Sequence, residues 1–95
     1  MTDIAVTTPP PDGGGWTCQV RLTDTDGSAS EHRVRVSRAD LERYAPGASD
    51  PTGLVRRSFA FLLDHEPRSA ILRTFDLSVI ARYFPEYERE IRGVG

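Results

Sequence analysis

A two-residue rhythm between Trp16 and Val36 constrains this chain more than any other feature. Trp16, Cys18, Val20 and Leu22 alternate with Thr17, Gln19, Arg21 and Thr23, and Val34 and Val36 alternate with Glu31, Arg33 and Arg35. Successive side chains of a strand point to opposite faces, so each run reads as a strand with one buried face. Between the runs lies Asp24-Thr25-Asp26-Gly27-Ser28. A two-residue Asp26-Gly27 turn would set Leu22 opposite Glu31 and mix the faces. A three-residue loop, Thr25-Asp26-Gly27, with Gly27 left-handed, instead pairs Val20 with His32 and Cys18 with Val34. The sequence therefore predicts an antiparallel hairpin in that register.

A two-stranded ribbon is marginal in water, so helices must cover its apolar face. Ser37 reads as an N-cap, with Asp40 three residues on, for a short helix over 38–44. Asp50-Pro51 is a second start signal, a capping carboxylate followed by proline at the first helical position. Leu54, Val55, Ser58, Phe59, Leu62 and Leu63 then recur at three- and four-residue spacing, and the helix ends near His65 because Pro67 restricts Glu66. Ile71, Leu72 and Phe75 read as a short helical stripe. Asp76 is placed to cap a further helix carrying Leu77, Val79, Ile80, Tyr83 and Phe84, and after Pro85 comes a last turn, "EYEREIR", acidic first and basic last. The expected fold class is α+β, a two-stranded antiparallel β-hairpin packed by three to four short helices.

The chain of 95 residues is long enough for one small domain, expected over 16–92. Residues 1–15, "MTDIAVTTPPPDGGG", have little to bury and read as a disordered Pro/Gly-rich tail. All 12 basic residues are arginine, yet the net charge is -2, which argues against bulk attraction to nucleic acid or anionic membranes. A single cysteine, Cys18, rules out an intramolecular disulfide and lies on the apolar strand phase as a small buried hydrophobe. Neither a leader-like N-terminus nor a run of ~18 apolar residues is present, so a cytoplasmic location without membrane contact is expected.

The motifs that could carry chemistry are weak. Reading "DTDGS" as a calcium loop with Gly27 at the sixth position would put Leu22 at the first and Arg33 at the twelfth, where oxygen ligands belong. Asp64, His65 and Glu66 are adjacent on a helix and point about 100° apart, so they do not converge on one ion. Ser58 lies in an apolar stripe, and Gly13-Gly14-Gly15 precedes a strand rather than a helix, unlike a phosphate-binding loop. No catalytic, cofactor-binding or metal-ligating residue is therefore expected, and an enzyme is not.

The segment 58–91, "SFAFLLDHEPRSAILRTFDLSVIARYFPEYEREI", resembles a group of small uncharacterised bacterial proteins in which an FLLxxEPxxxILxxFDLxxIxxYFPxYE phrase follows a β-hairpin. Phe61, Leu62, Leu63, Glu66, Pro67, Ile71, Leu72, Phe75, Asp76, Leu77, Ile80, Tyr83, Phe84, Pro85, Tyr87 and Glu88 fill that phrase, which covers about a third of the chain. The resemblance implies a recurring folding unit and brings no activity or site residue with it.

The expected function is that of a protein–protein interaction or adaptor module. Tyr83 and Tyr87 beside the C-terminal proline, and Arg21, Arg33 and Arg35 on the outer hairpin face, are the candidate partner contacts. The partner expected is another protein, or a second copy pairing along an open hairpin edge. The alternative is a nucleic-acid-associated regulator using the arginine-bearing face, since Arg can read guanine bidentately from a β-ribbon.

Overall fold

The computed structural model describes residues 2–92; Met1 and residues 93–95 lie outside the described residues. Strands β1 (Asp3–Thr7), β2 (Gly15–Thr23), β3 (Ala29–Ser37) and β4 (Thr74–Asp76) form one sheet in the order β1-β2-β3-β4. Helices α1 (Arg38–Tyr44), α2 (Thr52–His65), α3 (Ser78–Tyr83) and α4 (Tyr87–Arg92) supply the rest of the regular structure, with a 3-10 turn at Arg68–Ala70.

The hairpin takes the expected register, with Cys18 opposite Val34 and Val20 opposite His32. Asp24 and Ser28 close the loop through a 2.8 Å main-chain hydrogen bond, and Gly27 has φ 89°, a value that favours glycine. Trp16, Cys18, Val20, Leu22, Val34 and Val36 are all buried on one face. Leu54, Val55, Phe59 and Leu62 of α2 belong to the same core, joined by Leu41 and Tyr44 of α1 and Ile80 of α3. Each side chain of this size removed from water contributes about 1.5–3 kcal/mol, which is what holds short helices that would not form alone.

The sheet has four strands, not two. The segment expected as a tail supplies β1, which pairs antiparallel with β2 from Asp3 opposite Thr23 to Thr7 opposite Gln19. Ile4 and Val6 pack against the core, and the Thr8 hydroxyl meets that of Thr52 at 2.7 Å, tying the strand exit to α2. The glycines are a turn rather than a flexible spacer. Gly13 and Gly14 adopt φ 61° and 84°, and Asp12 and Gly15 bond across the turn at 2.7 Å. Gly15 lies so close to β3 that a Cβ there would meet the Val36 carbonyl oxygen at 2.4 Å.

The stripe at Ile71, Leu72 and Phe75 is not a helix. It leaves the 3-10 turn in extended form and becomes β4, parallel to β3, with Phe75 opposite Val34 and Asp76 opposite Arg35. The β2 edge of the hairpin is thus covered by β1, and the β3 edge is covered by β4 over Arg33–Arg35.

The capping predictions fare unevenly. The Ser37 hydroxyl accepts from the Asp40 N–H at 3.0 Å, as expected. Pro51 is the N-cap of α2 rather than its first residue; Asp50, one residue earlier, accepts from the Thr52 N–H at 2.9 Å, and hydrogen bonding from Thr52 holds its carboxyl below the usual range. Asp76 does not cap α3; it ends β4, and the Leu77 N–H is taken by the Arg35 carbonyl at 2.9 Å.

Candidate functional site

The C-terminal half of the chain forms a groove of about 390 Å³ between α2, the 70–76 segment and α3. Leu62, Ile71 and Ile80 are buried and make its floor; Phe75 and Phe84 are half-buried along its walls. Leu72 and Tyr83 stand at its rim, 53% and 71% exposed, the two large hydrophobic side chains that the fold leaves most open among the described residues. Glu66 is the one charged residue of the lining.

The rim is held in place from beneath. The buried His32 ring has Nδ1 at 2.7 Å from the Leu72 carbonyl oxygen and Nε2 at 2.9 Å from the Ser30 hydroxyl. A carbonyl can only accept, so Nδ1 carries the hydrogen, and in the neutral ring Nε2 accepts from Ser30. Arg33 N–H donates to the Arg73 carbonyl at 2.6 Å, so the backbone on either side of the Leu72–Arg73 peptide is anchored to β3. Further up the segment, Arg68 donates to Asp24 at 2.9 Å and to the Ser28 hydroxyl at 2.9 Å. Thr2 and Arg68 together hold the Asp24 carboxyl below its ordinary range. With its backbone fixed at both ends, the segment has little freedom to fold Leu72 inward.

Of the residues expected at a partner surface, Tyr83 lies on the groove rim. Tyr87 does not reach the surface. It is 0% exposed, and its ring meets Tyr44 at 5.2 Å and Phe61 at 5.3 Å between centroids. Burial drives its phenol pKa far up, partly opposed by a hydrogen bond to Ser58. Its position opens the first turn of α4, where the helix faces α1 and α2, and that contact is invisible in local spacing.

The three arginines of the open sheet face stand apart from the groove residues. Arg21 pairs with Glu31 at 2.8 Å. Arg35 donates to the Asp12 carbonyl at 2.8 Å, to the Gly13 carbonyl at 3.3 Å and to the Thr17 hydroxyl at 3.3 Å, so it fastens the glycine turn. Among the described residues, Arg33 makes no side-chain hydrogen bond or ion pair. The cationic face is thus largely engaged within the fold.

Sequence reasoning missed Leu72 and the groove, because they arise from the contact of β4 with β3 and of α3 with α2. It also considered His65 only with its chain neighbours. In the fold His65 lies against Phe84 and faces Glu86 and Glu90, across the chain reversal at Pro85. Cys18 is buried, and that burial raises its thiol pKa, which suits a packing role. No helix among the described residues is long and apolar enough to cross a membrane. No family model, no curated protein and no solved structure matches this chain, so its groove stands on its own geometry.

Proposed function

We propose that the protein is a non-enzymatic protein-binding module whose α2–α3 groove receives an apolar side chain from a partner protein. The observation that carries this reading is that Leu72 and Tyr83 rim the same apolar groove. An exposed apolar patch around a concave floor is costly to leave in water and is typical of interaction sites. Its size fits one or two anchor residues, which in many interfaces supply most of the binding energy. Glu66 in the lining favours a partner with a basic residue beside its apolar anchor.

Affinity capture from the native host, compared across variants, tests the reading. A specific protein partner should be retained by Arg33→Ala and lost by Leu72→Asp and by Tyr83→Asp. Capture of nucleic acid that weakens steeply with salt and with Arg33→Ala would overturn it in favour of the arginine-bearing face.

A further inference from the structure

We propose that His65, Glu86 and Glu90 bind a single zinc-type divalent cation. Their ligand atoms all lie within 4.8 Å of one another, although His65 ends α2, Glu86 lies in the turn before α4 and Glu90 lies within α4. Glu90 N–H donates to the Glu86 carbonyl at 3.0 Å, so Glu86 leads directly into the first turn of α4 and its carboxylate lies near that of Glu90. His65 closes α2 and looks across at them.

The imidazole is oriented as a ligand. Its ring packs against both Phe61 and Phe84, at 4.3 Å and 5.1 Å between centroids. Nδ1 lies 2.9 Å from the Phe61 carbonyl oxygen, so Nδ1 donates there, and in the neutral form of the ring the Nε2 lone pair is turned towards the carboxylates. A main-chain acceptor on the far nitrogen is the usual device for fixing the tautomer of a metal-bound histidine.

One of the three separations is already that of two ligands on one ion. Nε2 is 3.4 Å from Glu86 Oε2. A charge-assisted hydrogen bond would close to about 2.7–2.9 Å. Ligands about 2.0–2.1 Å from a tetrahedral zinc lie roughly 3.3 Å from each other. Among the described residues neither Glu86 nor Glu90 pairs with an arginine, so two carboxylates face one imidazole. One nitrogen and two carboxylate oxygens suit zinc, cobalt or nickel, whereas calcium asks for six to eight oxygens. Side-chain exposures of 28% for His65 and 34% for Glu86 leave room for water at the remaining coordination position.

His32 is buried with both nitrogens engaged, so His65 is the one imidazole free to take an ion. Zinc chloride titrated into the full chain, followed by calorimetry and by nitrogen NMR of the two imidazoles, tests the site. The expected result is one zinc per chain, with the His65 Nε2 resonance moving and those of His32 unchanged. Glu86→Gln and Glu90→Gln should each weaken binding by at least the roughly 10–100-fold that loss of an outer-shell partner costs, with circular dichroism unchanged. Undiminished zinc affinity in both glutamine variants, a His65 Nε2 resonance that does not respond, no saturation below millimolar zinc, or displacement by an equal concentration of calcium would each overturn the proposal. The NMR readout on the unaltered protein decides the matter even if a variant unfolds.

Discussion

The Tyr87 phenol oxygen lies 2.6 Å from the Ser58 hydroxyl, with both side chains fully buried. Ser58 gives its hydrogen to the Leu54 carbonyl at 2.7 Å, so Tyr87 must be the donor to Ser58. This relay joins α4 to the backbone of α2 through the middle of the core. It explains how a serine sits in an apolar stripe: its oxygen is satisfied on both sides, and no side-chain nitrogen or oxygen buried among the described residues lacks a partner.

Tyr87→Phe should keep the ring contacts and lose one buried hydrogen bond, a cost of about 0.5–1.5 kcal/mol in urea denaturation. Tyr87→Ala should cost about 3–5 kcal/mol, because it also opens a cavity between Tyr44 and Phe61. The raised phenol pKa adds a pH dependence. The folded state holds this proton more tightly than the unfolded chain, so its contribution is complete below pH about 10 and is lost as pH climbs beyond that. The Tyr87→Phe protein should show a shallower alkaline loss of stability.

Gly15→Ala should be the more damaging of two changes in the glycine turn, since the new Cβ would run into the Val36 carbonyl oxygen. Overpacking of this kind costs about 1–3 kcal/mol, and here the obstacle is backbone that cannot rotate away. Gly14→Ala meets open space and bears only the strain of its φ of 84°, roughly 1–2 kcal/mol. Thermal melts of the two variants should rank them in that order.

Acid should loosen the join between the hairpin loop and the 68–76 segment. Hydrogen bonds from Thr2 and Arg68 depress the Asp24 pKa. A carboxylate depressed in the folded state stabilises above its unfolded pKa of about 3.9, and that contribution is lost as pH falls through the lower folded value. Asp24→Asn should reduce stability at neutral pH and flatten the acid limb of the stability profile. An unchanged acid limb would show that other carboxylates govern it.

His32→Leu removes the donor to the Leu72 carbonyl. An acceptor left unsatisfied beneath the groove should cost about 1–3 kcal/mol. The effect should be local first, with faster amide hydrogen exchange over Arg73–Leu77 than over β2.

What the sequence made legible was what local periodicity and local caps decide. The hairpin register followed from keeping Cys18, Val20, Val34 and Val36 on one face, and Gly27 and Ser37 marked their turn and cap unaided. The β1 strand was lost because Ile4 and Val6 are too few to show alternation, and the neighbouring prolines and glycines suggested mobility. In fact the glycines are required by backbone geometry, with Gly15 pressed against β3. The β4 strand is three residues long and parallel, so nothing nearby in sequence announces its pairing with β3. The same holds for the groove and for the meeting of His65 with Glu86. Both depend on α2 and the C-terminal helices coming together, and Tyr87 was read as a surface residue for that reason.

The most direct measurement of the groove's role is site-specific photo-crosslinking from position 83 in the native host, with a benzophenone side chain in place of the tyrosine. A defined protein adduct is expected, abolished by Leu72→Asp and unaffected by Arg33→Ala. No adduct, or an adduct indifferent to Leu72→Asp, would contradict a partner-binding groove.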